Sequence, residues 1–132
     1  FYILDVVRGQ WEASEREKII KQVAIGDGID TIIYIEQEPG SGGKESAEAT
    51  IRNLAGFRCI ADRPTGDKIK RADVLPVQLN AGNVYMLRGG WNAEYKRELE
   101  YFPYGKYKDQ VDATSGAFNM LAKGNKAKVL NY

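Results

Sequence analysis

Glu36 ends an unbroken apolar run, Thr31-Ile32-Ile33-Tyr34-Ile35, and a glycine-rich segment, Pro39-Gly40-Ser41-Gly42-Gly43, follows it. In α/β sheets the carboxyl ends of strands are where ligands bind, so a carboxylate there is held on a rigid element at the right edge. Asp109 and Asp112, in the segment KDQVDA, stand three residues apart. On a helix they share one face. Carboxylates at a strand end and at a helix start can converge on divalent cations. Mg²⁺ prefers hard oxygen ligands and is commonly held by a few carboxylates plus substrate phosphates. Two such ions about 3.5–4 Å apart activate a water and stabilise the leaving oxygen in phosphodiester cleavage. The plainer alternatives are that Glu36 is a solvated strand end and that the two aspartates only complement a helix dipole.

The chain has 132 residues and no histidine. That excludes a histidine triad, histidine-ligated zinc and a histidine general base. Cys59 is the single cysteine, so there is no internal disulfide and no thiolate cage. Cys59 lies in an apolar strand and reads as packing. The run Gly40-Ser41-Gly42-Gly43-Lys44 imitates a phosphate loop but fails its spacing. That motif needs a glycine at position 38, which is Glu38, and Ser or Thr after the lysine, where Glu45 stands. A glycine turn at a helix start can still touch one substrate phosphate, with Lys44 beside it. The stretch Arg63 to Arg71 carries Lys68, Lys70 and Arg71 and suits a phosphodiester backbone without reading sequence. It reads equally as a charged loop, because Asp62, Asp67 and Asp73 dilute it. The net charge is +1, so any phosphate contact must be local. No apolar run is long enough to span a membrane. The chain opens at Phe1 within an apolar segment, which reads as a piece with its start missing.

The elements that must position these residues follow from periodicity. Phe1 to Val7 is aromatic and β-branched, a strand. Ser14-Glu15-Arg16-Glu17 has the form of a capping box, and Ile19, Ile20 and Val23 follow at helical spacing until Gly26 and Gly28. Thr31 to Ile35 is continuous enough to be buried on both faces. Lys44 to Ala55 is a helix with Ala47, Ile51 and Leu54 on one face, ended by Gly56. Phe57 to Ala61 is a short strand. Alternating strands and helices predict βαβ units with parallel strands. A helix runs through Leu79, and Val84 to Leu87 is a strand. Asn92 caps a helix with Tyr95, Leu99 and Phe102 inward. Pro103-Tyr104-Gly105 breaks it, and Asp109 to Ala122 is the last helix, with Val111, Phe118 and Leu121 on one apolar side.

Five segments together carry a resemblance: FYILDVVRGQW, IIYIEQEPGSGGKE, RPTGDKIKRAD, NVYMLRGGW and FPYGKYKDQVDA. The chain resembles the C-terminal nuclease domain of the large terminase subunit of tailed bacteriophages and prophages, over Phe1 to about Ala122. The resemblance implies a ribonuclease-H-like α/β fold, a mixed sheet flanked by helices, with the opening strands lying ahead of Phe1. It implies residues 1–122 as the nuclease domain and 123–132 as a basic tail. The implied activity is a two-metal DNA endonuclease that cuts concatemeric double-stranded DNA during genome packaging, using Mg²⁺ or Mn²⁺. Glu36 falls at the second acidic motif, and Asp109 and Asp112 fall in the C-terminal one. All three are thereby implied as catalytic metal ligands. Tyr107 and Lys108 stand where many members have His and Asp, and the first acidic motif falls upstream of Phe1. Residues 1–132 alone are therefore expected to cut weakly or not at all. Lys68, Arg71 and Lys44 are the expected DNA contacts. The small terminase subunit and the portal protein are the implied partners, and the cytoplasm of the bacterial host is the implied location, with no membrane. Two other readings stay open: a noncatalytic packaging or DNA-binding module of the same fold, and a related ribonuclease-H-like resolvase or transposase nuclease.

Overall fold

Ile32–Glu36 and Arg58–Asp62 are rich in β-branched and apolar residues, and they pair in parallel. Parallel neighbours need a crossover, which here is the helix Ser41–Asn53. The computed structural model describes residues 1–63 and 74–124. In chain order the elements are β1 (Tyr2–Ile3), α1 (Ala13–Asp27), β2 (Ile32–Glu36), α2 (Ser41–Asn53), β3 (Arg58–Asp62), α3 (Val74–Asn80), β4 (Tyr85–Met86), α4 (Asn92–Tyr101) and α5 (Asp109–Gly124). The fold is α/β. Among the described residues the strands form two parallel two-stranded sheets, β1 with β4 and β2 with β3. The chain divides into two compact units, one holding α1, β2, α2 and β3, the other β1, α3, β4, α4 and α5.

In the first unit, register pairs Ile32 with Arg58 through to Glu36 with Asp62. Ile33, Ile35, Cys59 and Ala61 share the better buried face, and α2 packs on this sheet through its buried stripe of Ala47, Thr50 and Leu54. The opposite face, with Ile32, Tyr34 and Ile60, is exposed. The expectation that β2 is buried on both faces is therefore corrected: one helix covers one face of a two-stranded sheet. The capping box is also corrected. Helix α1 starts at Ala13 after Glu12, with no side-chain cap. Glu17 is instead drawn to α2, where its carboxylate accepts hydrogen bonds from Thr50 Oγ1 at 2.7 Å and Asn53 Nδ2 at 3.1 Å. A partly buried hydroxyl and amide need those acceptors more than a solvated first turn does. Helix α2 begins at Ser41, so Gly42 and Gly43 lie inside it and not in the turn; Gly40, at φ 95°, makes the turn.

In the second unit the core is Leu75, Tyr95, Val111 and Phe118. The ring of Phe1 lies 4.4 Å from that of Phe118, and Tyr2 stacks on Tyr85 at 5.1 Å. The opening strand is far shorter than the apolar run suggests, because its partner β4 offers only Tyr85 and Met86 for pairing. Asn92 is the first residue of α4 and not its cap. Its side chain accepts a hydrogen bond from Gly89 N at 2.8 Å and donates to Leu87 O at 3.0 Å, bracing the turn before the helix. On α5 the buried face runs through Val111, Ser115 and Phe118, while Leu121, which shares the apolar side with Val111 and Phe118, is exposed. No helix among the described residues is long and apolar enough to cross a membrane.

Candidate functional site

Strand β2 is apolar until its last residue, β3 is apolar from Cys59 to Ala61 after its opening Arg58, and the last residue of each is an acid. Glu36 and Asp62 are register partners at the carboxyl ends of the two strands. In parallel strands about 4.8 Å apart, register partners project from the same face. Glu36 is exposed and Asp62 half-buried. Just beyond, Gln37 N donates to Asp62 O at 2.7 Å, which carries the ladder one residue past the strands. The Gln37 side chain in turn accepts from Arg63 Nε at 3.2 Å. A guanidinium is thus tethered at the carboxyl edge of the parallel sheet, one residue beyond the two acids. Glu36 stands at the strand end its segment predicts, and Asp62, which in the sequence only dilutes a basic stretch, is its partner there. The missed signal was that both apolar runs end on an acid at matching positions.

The other pair is on α5. Asp109 is exposed and Asp112 half-buried, both in the first turn. What fixes that turn is a buried carboxylate on α4. Glu98 accepts from Val111 N at 2.9 Å and from Gln110 Nε2 at 2.7 Å. Its other oxygen-bearing neighbour, Gln110 Oε1, is buried without a hydrogen-bond partner. One of the orphan amides that open every helix is so satisfied from the neighbouring helix rather than by a local cap. Tyr95, one turn before Glu98, donates to Thr114 Oγ1 at 2.8 Å. Burial raises the Tyr95 phenol above its ordinary value, the Thr114 hydrogen bond opposes this, and the nearby Glu98 charge adds to the rise. Glu98 was not anticipated, although its place three residues after Tyr95 puts it on the inward stripe.

Glu36 therefore belongs to one unit and Asp109 and Asp112 to the other. Lys68 and Arg71 lie outside the described residues. Lys44 is exposed on α2 and pairs with Glu48 one turn on at 3.8 Å, a contact of little energetic weight at that exposure. Burial pushes the Cys59 thiol up, and a backbone hydrogen bond to Ile60 partly offsets this, as suits a packing residue. The donor set is hard oxygen, which fits Mg²⁺ or Mn²⁺ rather than a softer ion. It comes as a pair of carboxylates in each unit, and among the described residues no three Cys, Asp or Glu side chains gather into one metal-holding group. Comparison with protein-family models, with curated proteins and with solved structures finds no match to the chain.

Proposed function

We propose that the chain is a ribonuclease-H-like, metal-dependent DNA endonuclease domain of a phage large terminase subunit, acting on concatemeric double-stranded DNA in the cytoplasm of a bacterial host. The observation that carries this reading is the Glu36–Asp62 register pair at the carboxyl edge of a parallel sheet. One or two carboxylates with substrate phosphates and waters are the usual holding set for Mg²⁺. A bound divalent ion supplies an activated water and charge stabilisation at the phosphate. Glu36 contributes an exposed carboxylate for such an ion, and Asp62 supports it from the next strand. Arg63, held by Gln37, presents a cation to a neighbouring phosphate oxygen. Asp109 and Asp112 are carboxylates on a helix start that Glu98 keeps in place. The terminase assignment itself rests on the five segment likenesses, and the small subunit and portal are its expected partners.

The test is a Mn²⁺ titration of residues 1–132 followed by paramagnetic broadening of NMR signals. Broadening should be strongest at Glu36 and Asp62, and Glu36→Ala should weaken binding about tenfold or more, the scale seen when groups around a metal are removed. The slow nicking of supercoiled DNA that this reading allows should vanish in EDTA and in Glu36→Ala. Mn²⁺ that leaves Glu36 and Asp62 unbroadened overturns the proposal.

A further inference from the structure

The connection between α4 and α5 displays three tyrosines and two lysines within eight residues, Tyr101 to Lys108. Tyr104 is 95% exposed, Tyr101 64% and Tyr107 47%. A single exposed ring is ordinary, but here three lie along one short segment, and clustered exposure of this kind marks interaction sites. The turn that projects Tyr104 is well built. Tyr104 N and Gly105 N both donate to Tyr101 O, at 2.8 and 2.7 Å. Phe102 and Pro103 are half-buried and anchor it. A Cβ at Gly105 would stand 3.0 Å from Tyr101 Cβ, so the turn is tightly packed there.

Two cations lie against the Tyr107 ring. Arg8 lies 5.6 Å from the Tyr107 ring centre and Lys106 Nζ 5.2 Å from it, while Arg8 also pairs with Glu94 at 3.3 Å. Lys108, the next residue in the chain, is exposed. The nearby acids are Glu100, Asp109 and the half-buried Asp112. Aromatic faces interleaved with lysines match one ligand class well. Bases stack on rings while phosphates meet the cations, and this needs bases whose faces are not already covered in a duplex.

We propose that Tyr101, Tyr104 and Tyr107, with Lys106, Lys108 and Arg8, form a binding platform for unpaired DNA bases. The platform rests on the DNA-acting reading above and adds to it a preference for single-stranded or unpaired segments. Tyr104 is the leading stacking ring. Lys106 and Lys108 hold the phosphates on either side, and Arg8 steadies the Tyr107 ring.

The test measures binding of a short oligodeoxythymidylate to residues 1–132 in EDTA, where cleavage plays no part. The oligonucleotide should bind more tightly than a blunt hairpin duplex of the same length. Tyr104→Ala should weaken oligothymidylate binding about tenfold, within the range for loss of one stacked base. Tyr104→Trp should restore it, and the new indole should be quenched on binding. Lys106→Ala should lower the salt slope by about 0.7, the value for one single-strand phosphate contact. Because the Tyr104 side chain is almost wholly exposed, an unchanged melting curve should accompany each variant. Equal binding by Tyr104→Ala, or equal affinity for the duplex, overturns the platform. Failure of the Mn²⁺ test with Tyr104-dependent binding intact would instead remove the nuclease reading and leave the platform standing.

Discussion

Glu98 and Tyr95 show how much one inward stripe of α4 controls. The Glu98 carboxylate serves both Val111 N and Gln110 Nε2, so truncation leaves a buried amide without an acceptor. Glu98→Ala should cost about 1–3 kcal/mol, the usual range for an orphaned buried donor. Glu98→Gln should cost less. Its oxygen can still accept from Val111, and its new amide protons suit Gln110 Oε1, which now has no partner. Urea midpoints of the two variants check this, and equal losses would show that the negative charge itself is required. Tyr95 adds a pH dependence of known sign. Its folded pKa is raised, so the folded chain holds the phenolic proton more tightly than the unfolded chain does. That contribution is full below the ordinary tyrosine value of about 10 and is lost as pH rises through the higher folded value. Tyr95→Phe should cost about 1 kcal/mol at neutral pH through the lost Thr114 hydrogen bond, and should flatten the alkaline fall in stability. Thermal melts from pH 8 upward would show an unaltered alkaline limb if Tyr95 were not its source.

At the scale of elements, the two helical glycines of α2 separate propensity from packing. Gly42 has open space where a Cβ would stand, whereas a Cβ on Gly43 would run into the Glu38 carbonyl. Gly42→Ala should therefore stabilise by about 0.5–1 kcal/mol, the helical advantage of alanine. Gly43→Ala should destabilise despite the same propensity gain, because Glu38 backbone would have to move. Chemical denaturation of both variants decides the matter, and stabilisation by both would mean that the β2–α2 connection is slack. The same connection explains what the sequence hid. Period and composition were enough to locate the five helices of the described residues and the β2–α2–β3 unit, because each has its own apolar stripe or run. The start of α5 at Asp109 was legible, but the starts of α1 and α2 were not. Ser14 and Glu17 have capping-box spacing, yet Glu17 is taken by Thr50 and Asn53, more than thirty residues away. The glycine run looked like a turn because glycine is a poor helix former, and only the tight approach to Glu38 explains Gly43 inside α2. The Glu36 position was readable from its own segment, but Asp62 needed the parallel register, which is a long-range fact.

Across the whole chain, the amount of sheet and the amount of cover do not match. Parallel sheets normally have both faces covered, and two-stranded sheets are marginal by themselves. Here Ile32, Tyr34 and Ile60, 36 to 39% exposed, lie on the open face of the β2–β3 pair. In the other unit Tyr85 and Leu87 are more than half exposed. Apolar surface of this kind favours dye binding and self-association. Residues 1–132 should therefore bind an apolar fluorescent dye while native. Replacing Ile32, Tyr34 and Ile60 together by Thr keeps β propensity and removes apolar area from the open face only. Dye fluorescence should fall clearly, and association at high concentration should weaken. Stability should shift by no more than about 0.5 kcal/mol per site, as for surface positions away from a packed core. A collapse of the denaturation midpoint would mean instead that this face is packed in solution. The α2 face provides the contrast. Ala47 and Leu54 are buried there, so Leu54→Ala should cost about 2–5 kcal/mol with little loss of dye binding. The opposite responses of two faces of one sheet would show that its stability comes from α2 alone, with the carboxylate edge of Glu36 and Asp62 carried on a half-covered platform.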